Sequence, residues 1–248
     1  MKILVCISHV PDTTSKINFT DNNTKFDATG VQFVINPYDE FALTRAMWFK
    51  EKQGATVTAL NVGNNTTEPT LRKALAIGAD DAVRINTEAT DGLSVARQIA
   101  AYAKAEAFDL ILAGKESSDY NGGMVPGMVA NLLDYNFVNA CIGLEIEGSA
   151  ALVTREFDGG KEILQTSFPL VIGAQKGLVE ENELRIPNMR GIMMARQKPL
   201  KVIEPVAVDP ATQVNSYEKP LQKSACKIID ANNLDELIRL LHNEAKVI

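Results

Sequence analysis

Leu110-Ile111-Leu112-Ala113-Gly114-Lys115-Glu116-Ser117-Ser118-Asp119-Tyr120-Asn121-Gly122-Gly123-Met124-Val125-Pro126-Gly127 decides how this chain is read, together with the Met128-Val129-Ala130-Asn131-Leu132-Leu133 that follows. The apolar run Leu110–Ala113 reads as a buried strand, and 128–133 as a helix. Between them lies a glycine-rich turn. Glycines at such a junction let backbone N–H groups crowd around an anion at the positive end of the helix. The alternative is a plain strand–helix connection that happens to contain glycines. The stretch lacks the Lys-Ser/Thr ending of a Walker loop and the G-x-G-x-x-G spacing of a dinucleotide fold, so neither of those chemistries is indicated.

Outward from this stretch the same alternation recurs. Upstream, Ile3–Ser8, Thr56–Gly63 and Asp81–Ile85 read as strands. Helices follow at Asn36-Pro37-Tyr38-Asp39, at Thr67-Glu68-Pro69 through Leu75 and after Asp91. Asn36 is placed to cap its helix, with Pro37 at the first helical position and Asp39 and Glu40 in the first turn. Near-continuous apolar strands alternating with amphipathic helices predict an α/β fold. Its core is an open, mostly parallel sheet with helices on both faces. Ligands of such sheets sit outside the carboxyl ends of the strands.

Downstream of residue 140 the pattern changes to short strands at Leu144–Ile146, Leu152–Phe157 and Ile163–Thr166. Asp158-Gly159-Gly160 marks an extra β-hairpin. Pro169–Ala174 is one more strand, and 176–200 reads as irregular. The expected organisation is an α/β domain over 1–200, then an extended C-terminal arm over 201–248. That arm ends in a short amphipathic helix at Leu234, Leu237, Ile238 and Leu241. A lone helix beyond a linker must dock on something.

The composition is that of a globular protein, 46% hydrophobic and 23% charged. A formal net charge of −6 argues against a nucleic-acid or anionic-membrane partner, each of which needs a basic face. The three cysteines, Cys6, Cys141 and Cys226, are far apart and form no CxxC. They fit a reducing, cytoplasmic compartment and no structural zinc. The first residues are too short for a signal-peptide core, and no apolar run approaches the ~20 residues a membrane span requires.

Catalytic sets are missing from the sequence. The two histidines, His9 and His242, are expected at the surface, and Cys6 reads as a small core residue. No base stands beside a nucleophile, so hydrolase or transferase chemistry has little support. Arg185-Ile186-Pro187-Asn188-Met189-Arg190-Gly191-Ile192-Met193-Met194-Ala195-Arg196 joins apolar anchors to three arginines. It is either a buried loop packing its methionines or a partner-docking loop. Docking is the better reading, because Met and Arg are enriched at protein contacts.

Taken together, these elements resemble the β subunits of electron transfer flavoproteins. The likeness runs over nearly the whole chain. It rests on Lys2-Ile3-Leu4-Val5 with Pro11-Asp12, on Asn36-Pro37-Tyr38-Asp39-Glu40, and on Thr70-Leu71-Arg72-Lys73-Ala74-Leu75-Ala76-Ile77-Gly78-Ala79-Asp80. Gly114-Lys115, Arg155-Glu156-Phe157-Asp158-Gly159-Gly160 and the run from Ile192 to Pro199 extend it. The resemblance implies a sheet of the adenine-nucleotide α-hydrolase-like kind and an arm that wraps onto a partner, the α subunit. The α subunit would hold most of the redox FAD, and this chain would bury AMP.

Carried over by position, AMP would contact Cys6, Asn36, Pro37, Tyr38, Asp39, Val62, Asp119, Tyr120, Asn121, Gly122, Gly123, Met124, Val125, Pro126 and Gly127. Thr13 and Tyr38 would stand near the FAD of the α subunit. Segment 182–194 would be a recognition loop, with Arg185, Ile186, Met189, Arg190, Ile192 and Met193 meeting the partner. Implied partners are acyl-CoA dehydrogenase-like donors and a quinone oxidoreductase-like acceptor. The chain would be an electron carrier subunit and not an enzyme, with no metal.

The phosphate loop departs from the family, reading Gly-Gly-Met-Val-Pro-Gly where many relatives carry glutamine. It also lacks the Gly-Asp-Thr-Ala-Gln pattern of members that hold a second redox FAD in this subunit and oxidise NADH, which favours AMP. A stand-alone adenine-nucleotide sensor of the universal-stress-protein type is the third reading, and the C-terminal arm speaks against it.

Overall fold

The computed structural model describes residues 1–222 and 225–248; residues 223 and 224 of the expected arm lie outside the described residues. The chain opens with β1 (Lys2–Cys6) and β2 (His9–Pro11). A small hairpin, β3 (Phe19–Thr20) and β4 (Lys25–Phe26), precedes β5 (Phe33–Ile35). Then α1 (Pro37–Gln53), β6 (Thr56–Val62), α2 (Glu68–Ile77), β7 (Asp81–Ile85), α3 (Gly92–Glu106), β8 (Leu110–Gly114) and α4 (Val125–Leu133) alternate as the apolar pattern requires. The second half holds β9 (Asn136–Glu147), β10 (Ala150–Phe157), β11 (Gly160–Ser167), β12 (Leu170–Ala174), α5 (Met189–Ala195), β13 (Leu200–Ile203) and α6 (Leu234–Leu240).

Nine strands form one sheet in the order β11-β10-β9-β12-β8-β1-β6-β7-β13. All neighbours from β9 to β13 run parallel, and β10 is antiparallel to both β9 and β11. This is the expected open, mostly parallel α/β sheet with its added hairpin. One face packs α1 and α2 through Phe41, Leu43, Met47, Leu71 and Leu75. The other packs α3 and α4 through Ala96, Ile99, Val129 and Ala130. The central strands are buried on both sides, which is why Ile3–Val5 and Leu110–Leu112 are apolar at every position.

Four local expectations are corrected. The helix after the glycine-rich turn starts at Val125, three residues before Met128, because Pro126 is preset for a first helical turn. β9 is twelve residues long, not the short piece Leu144–Ile146. Its first half pairs with β12 and its second with β10, and the ladder shifts where Ala140 takes φ 54°. That switch of partner breaks the simple alternation a strand pattern would show. Segment 176–200 is not wholly irregular, since it contains α5. Finally, 201–203 belong to β13 at the sheet's edge, so the free arm begins after Ile203.

Candidate functional site

The chain passes from β1 through β6 to β7, then returns across the sheet to β8 on the other side of β1. Loops on either side of this reversal diverge and leave a crevice at the carboxyl ends of the strands. A cavity of about 920 Å³ lies there. Its walls come from Ile7–His9 after β1, Leu60–Asn64 at the end of β6, Glu88–Leu93 between β7 and α3, and Ala113–Ser117 after β8.

Asp39 and Asn36 hold the crevice together. Asp39, in the first turn of α1, is 2% exposed. Its Oδ2 accepts the Ser8 N–H at 2.7 Å, and its Oδ1 accepts the Gly114 N–H at 2.7 Å. One carboxyl thus ties the end of β1 to the end of β8. Burial pushes its pKa up to about 6, against the opposing pull of those N–H groups. The Asn36 side chain does not make the α1 cap expected from sequence. Instead its Nδ2 donates to Glu116 O at 2.9 Å, and its Oδ1 accepts from Ser118 N at 3.1 Å. The amide is drawn across the crevice because the 116–118 backbone, arriving from β8, offers one acceptor and one donor at matching spacing.

Gly114 is where these groups converge. A Cβ there would stand 2.6 Å from Asp39 Oδ1, 2.7 Å from Tyr38 Cβ and 2.9 Å from Asn36 Nδ2. Beyond it the loop turns at Asn121 (φ 49°) and Gly123 (φ 59°) before entering α4. The N–H groups of Gly122, Gly123 and Met124 meet no acceptor among the described residues. Polar N–H groups gathered in this way at a helix start suit an anion. Lys115, on the cavity wall, carries a positive charge that it shares with Glu116, whose Oε1 lies 3.7 Å from its Nζ, and that Nζ stands 5.3 Å from the centre of the Tyr38 ring.

Of the residues singled out from sequence, Asp39, Val62, Asp119, Tyr120, Gly122, Gly123, Met124, Val125 and Pro126 line the cavity. Cys6, Asn36, Pro37, Tyr38, Asn121 and Gly127 stand behind or beside this wall and do not line it. Thr13 is exposed in the loop between β2 and β3, outside the lining. Sequence reasoning missed His9, Asn61, the Asn64–Thr67 turn, Glu88–Gly92 and, from the arm, Ala211, Thr212 and Val214. The carboxyl-end rule could have supplied the residues after β6 and β7. Nothing local marks the arm residues.

His9 is not the surface imidazole expected. It is half-buried, its ring stacks on Phe33 at 4.3 Å, and its Nδ1 lies 2.8 Å from Thr70 Oγ1. Burial lowers its pKa, so it is neutral near pH 7. Burial raises both the Cys6 and Cys141 thiols, the second to about 12, which makes them inert core residues. No cluster of three or more His, Cys, Asp and Glu side chains is gathered for a metal among the described residues. No described helix is long and apolar enough to cross a membrane.

The second candidate surface is α5. Asn188 caps it by accepting the Gly191 N–H at 2.7 Å. A seven-residue helix has little stability alone, and here α2 supports it. Arg72 donates to Ala195 O at 2.9 Å and Lys198 O at 3.1 Å. Lys198 in turn donates to Leu75 O at 2.9 Å and Ala79 O at 2.6 Å. Gly191 packs so closely that a Cβ would come 2.4 Å from Ala76 O. What remains outward is apolar: Ile186 is 84% exposed, Met189 74% and Met193 66%, with Ile192 and Met194 beside them. Exposed apolar side chains grouped this way mark an interaction surface. Arg190 is exposed, whereas Arg185 is engaged by Glu51 at 2.6 Å.

Comparison with known proteins places these features. The family described as "Electron transfer flavoprotein domain" matches residues 24–208. The chain is 37% identical to the electron transfer flavoprotein subunit beta of Bacillus subtilis (strain 168), with all of both chains covered. It is 32% identical to that of Homo sapiens over 91% of each chain, and 31% identical to that of Dictyostelium discoideum over 96% of this chain and 97% of the relative. With a parallel sheet opening into one crevice, and end-to-end likeness to these β subunits, the chain belongs to the electron transfer flavoprotein family.

Proposed function

We propose that this chain is the nucleotide-holding subunit of a heterodimeric electron carrier, with AMP in the cavity as a structural insert. The observation that carries this reading is the trio of unpaired N–H groups, Gly122 to Met124, at the start of α4 on the wall of a 920 Å³ cavity. The residues present fit a nucleotide monophosphate. The loop amides and Lys115 suit the phosphate, and Val62, Leu93, Val95 and Ile99 give the same cavity an apolar wall for a base. The one imidazole–hydroxyl contact described near the cavity, His9 Nδ1 at 2.8 Å from Thr70 Oγ1, has its hydroxyl buried and outside the cavity lining, which is consistent with a bound molecule that is not turned over.

The electron-carrying group would be an FAD held mostly by an α subunit, with Thr13 and Tyr38 on the side of this chain facing it. A flavin supplies the one- and two-electron chemistry. This chain's part is to position the α subunit, wall off the flavin and present a docking patch. That patch is Ile186, Met189, Arg190, Ile192 and Met193, and its proposed donors are acyl-CoA dehydrogenase-like proteins. The proposed acceptor is a quinone oxidoreductase-like protein. The three widely spaced, unpaired cysteines support a cytoplasmic setting. The α/β domain of 1–200 then supplies most of the cavity wall and the 182–194 recognition segment, and the region 201–248, beyond its strand residues and the three that line the cavity, reaches the α subunit. α6 supports this, since its Leu234 and Ile238 are 62% and 56% exposed and so are open to a partner.

A second reading places a redox FAD in this chain, giving a complex that oxidises NADH. The observation in its favour is the cavity itself, whose 920 Å³ lies near the upper end of the range for small-molecule pockets and exceeds what a mononucleotide needs. Co-purifying the chain with its α subunit and identifying the extracted nucleotides by mass separates the two. The first reading expects one AMP and one FAD per heterodimer. Two FAD and no AMP would establish the second, and a complex without flavin would sink both.

A further inference from the structure

The arm leaves the sheet at Ile203 and does not point into solvent. It returns over the mouth of the cavity. On one side the buried Gln98 of α3 pairs with the Val206 backbone in both directions, donating to Val206 O at 2.7 Å and accepting from Val206 N at 2.9 Å. Five residues on, Ala211 N donates to Asp91 Oδ2 at 2.9 Å. Asp91 also caps α3 through its other oxygen, accepting from Leu93 and Ser94 at 2.9 Å each, so the arm is pinned to a rigid helix start. Ala211, Thr212 and Val214 then line the cavity.

On the far side Tyr217 latches the arm. Its hydroxyl lies 2.9 Å from that of Tyr120, and its ring stacks on Phe19 of β3 at 4.8 Å. Its N–H donates to Asn23 O at 2.7 Å, and Lys219 Nζ donates to Asn18 Oδ1 at 2.8 Å. Between the two anchored ends, residues 212–216 form no hydrogen bond to the rest of the described chain. They include the side-chain donors and acceptors of Thr212, Gln213, Asn215 and Ser216. A segment held at both ends and free in the middle, across the mouth of a cavity, is built to close on an occupant.

We infer that residues 206–217 form a strap that completes the nucleotide site, and that the occupant and the strap hold one another in place. The inference rests on the nucleotide reading above and extends it to the arm. The link is Tyr120. It belongs to the same loop as the unpaired amides of Gly122–Met124, so a phosphate that orders this loop also sets the phenol that meets Tyr217. Coupling between two sites is reciprocal. Filling the cavity therefore steadies the arm, and loosening the arm releases the nucleotide. The nucleotide acts on the chain's outer contacts through the strap, with no need to touch them.

The test uses the full chain co-purified with its α subunit, as wild type, Tyr217→Phe and Tyr217→Ala. The readouts are AMP content, the rate of loss of bound labelled AMP into excess unlabelled AMP, and hydrogen exchange over 204–220 with and without AMP. Losing one hydrogen bond and one aromatic stack is expected to speed release about tenfold in Tyr217→Ala. Tyr217→Phe keeps the stack and is expected to speed it about threefold. Added AMP should slow exchange at the Ala211 and Tyr217 amides in the wild type. Unchanged release in Tyr217→Ala with exchange indifferent to AMP would overturn the strap alone. A wild-type complex that carries no nucleotide would overturn the nucleotide reading, and the strap with it.

Discussion

Asp39→Ala is expected to lower the stability of the chain by about 3–4 kcal/mol at pH 5, where the carboxyl is largely protonated. Among the described residues Asp39 is the one side chain that bonds the ends of both β1 and β8, through Ser8 N and Gly114 N. Alanine leaves both N–H groups without a partner in a buried place, and each such orphan costs about 1–3 kcal/mol. The sign of the pH effect follows from the raised pKa. The carboxyl titrates at about 6 in the folded chain, against an ordinary value of 3.8 for an unfolded aspartate. Its contribution is therefore fully present below about pH 4 and is lost as the pH rises through about 6.

The deficit of Asp39→Ala relative to wild type should accordingly narrow by about 1 kcal/mol between pH 5 and pH 7.5. Urea unfolding at the two pH values measures it. A deficit that widens with pH would show that the hydrogen bonds to the carboxylate outweigh its burial. A deficit under about 1 kcal/mol at pH 5 would show that the clamp adds little to the fold.

Gly191→Ala should act on the other surface. The new methyl would meet Ala76 O, a backbone atom at the end of α2 that no rotamer change can move. α5 must then lift from α2, straining the bonds from Arg72 to Ala195 and Lys198. Ile192, Met193 and Met194 move with it. Loss of a well-placed apolar cluster at an interface costs about 2 kcal/mol or more, so association with the proposed acyl-CoA dehydrogenase-like donor should weaken by about thirtyfold. The expected kinetic pattern is a raised KM for the carrier complex with unchanged nucleotide content. An unaltered KM would remove α5 from the docking surface. The cavity residues are untouched by this change, so it separates the two sites.

The parallel α/β core was readable because its strands are buried on both faces and its helices on one. Leu110–Ala113 and Ile3–Val5 announce themselves by unbroken apolarity. The start of α1 was readable through Pro37, yet the job of Asn36 was not. Its side chain serves a loop 80 residues away, and no local pattern encodes that partner. The helical state of α5 escaped notice because seven residues interrupted by Gly191 are too few to hold a helix alone, even with good helix formers, and support comes from α2. β13 escaped because the four residues of Leu200–Ile203 gain strand character only from pairing with β7. At the site, the glycine-rich loop could be picked out by type, whereas Asp39 reads locally as a first-turn helix residue and entered the site only through the family resemblance. The arm residues 211–214 could not be picked out, since only the return of the chain over the crevice brings them there.

β13 has a mechanical consequence. It is the last strand of the sheet and lies parallel to β7, bonded from Leu200 to Ile203. A pull on the arm directed along that strand loads its hydrogen bonds in shear, all together, and does not peel them one after another. The latches beyond it are isolated contacts, one hydrogen bond at Ala211 and two hydrogen bonds with a ring stack at Tyr217, and they give way first. When the arm is drawn toward a partner, motion should therefore stop at the sheet's edge. The nine-stranded body would stay taut while the strap alone swings, with Ile203 as the fixed end of the lever.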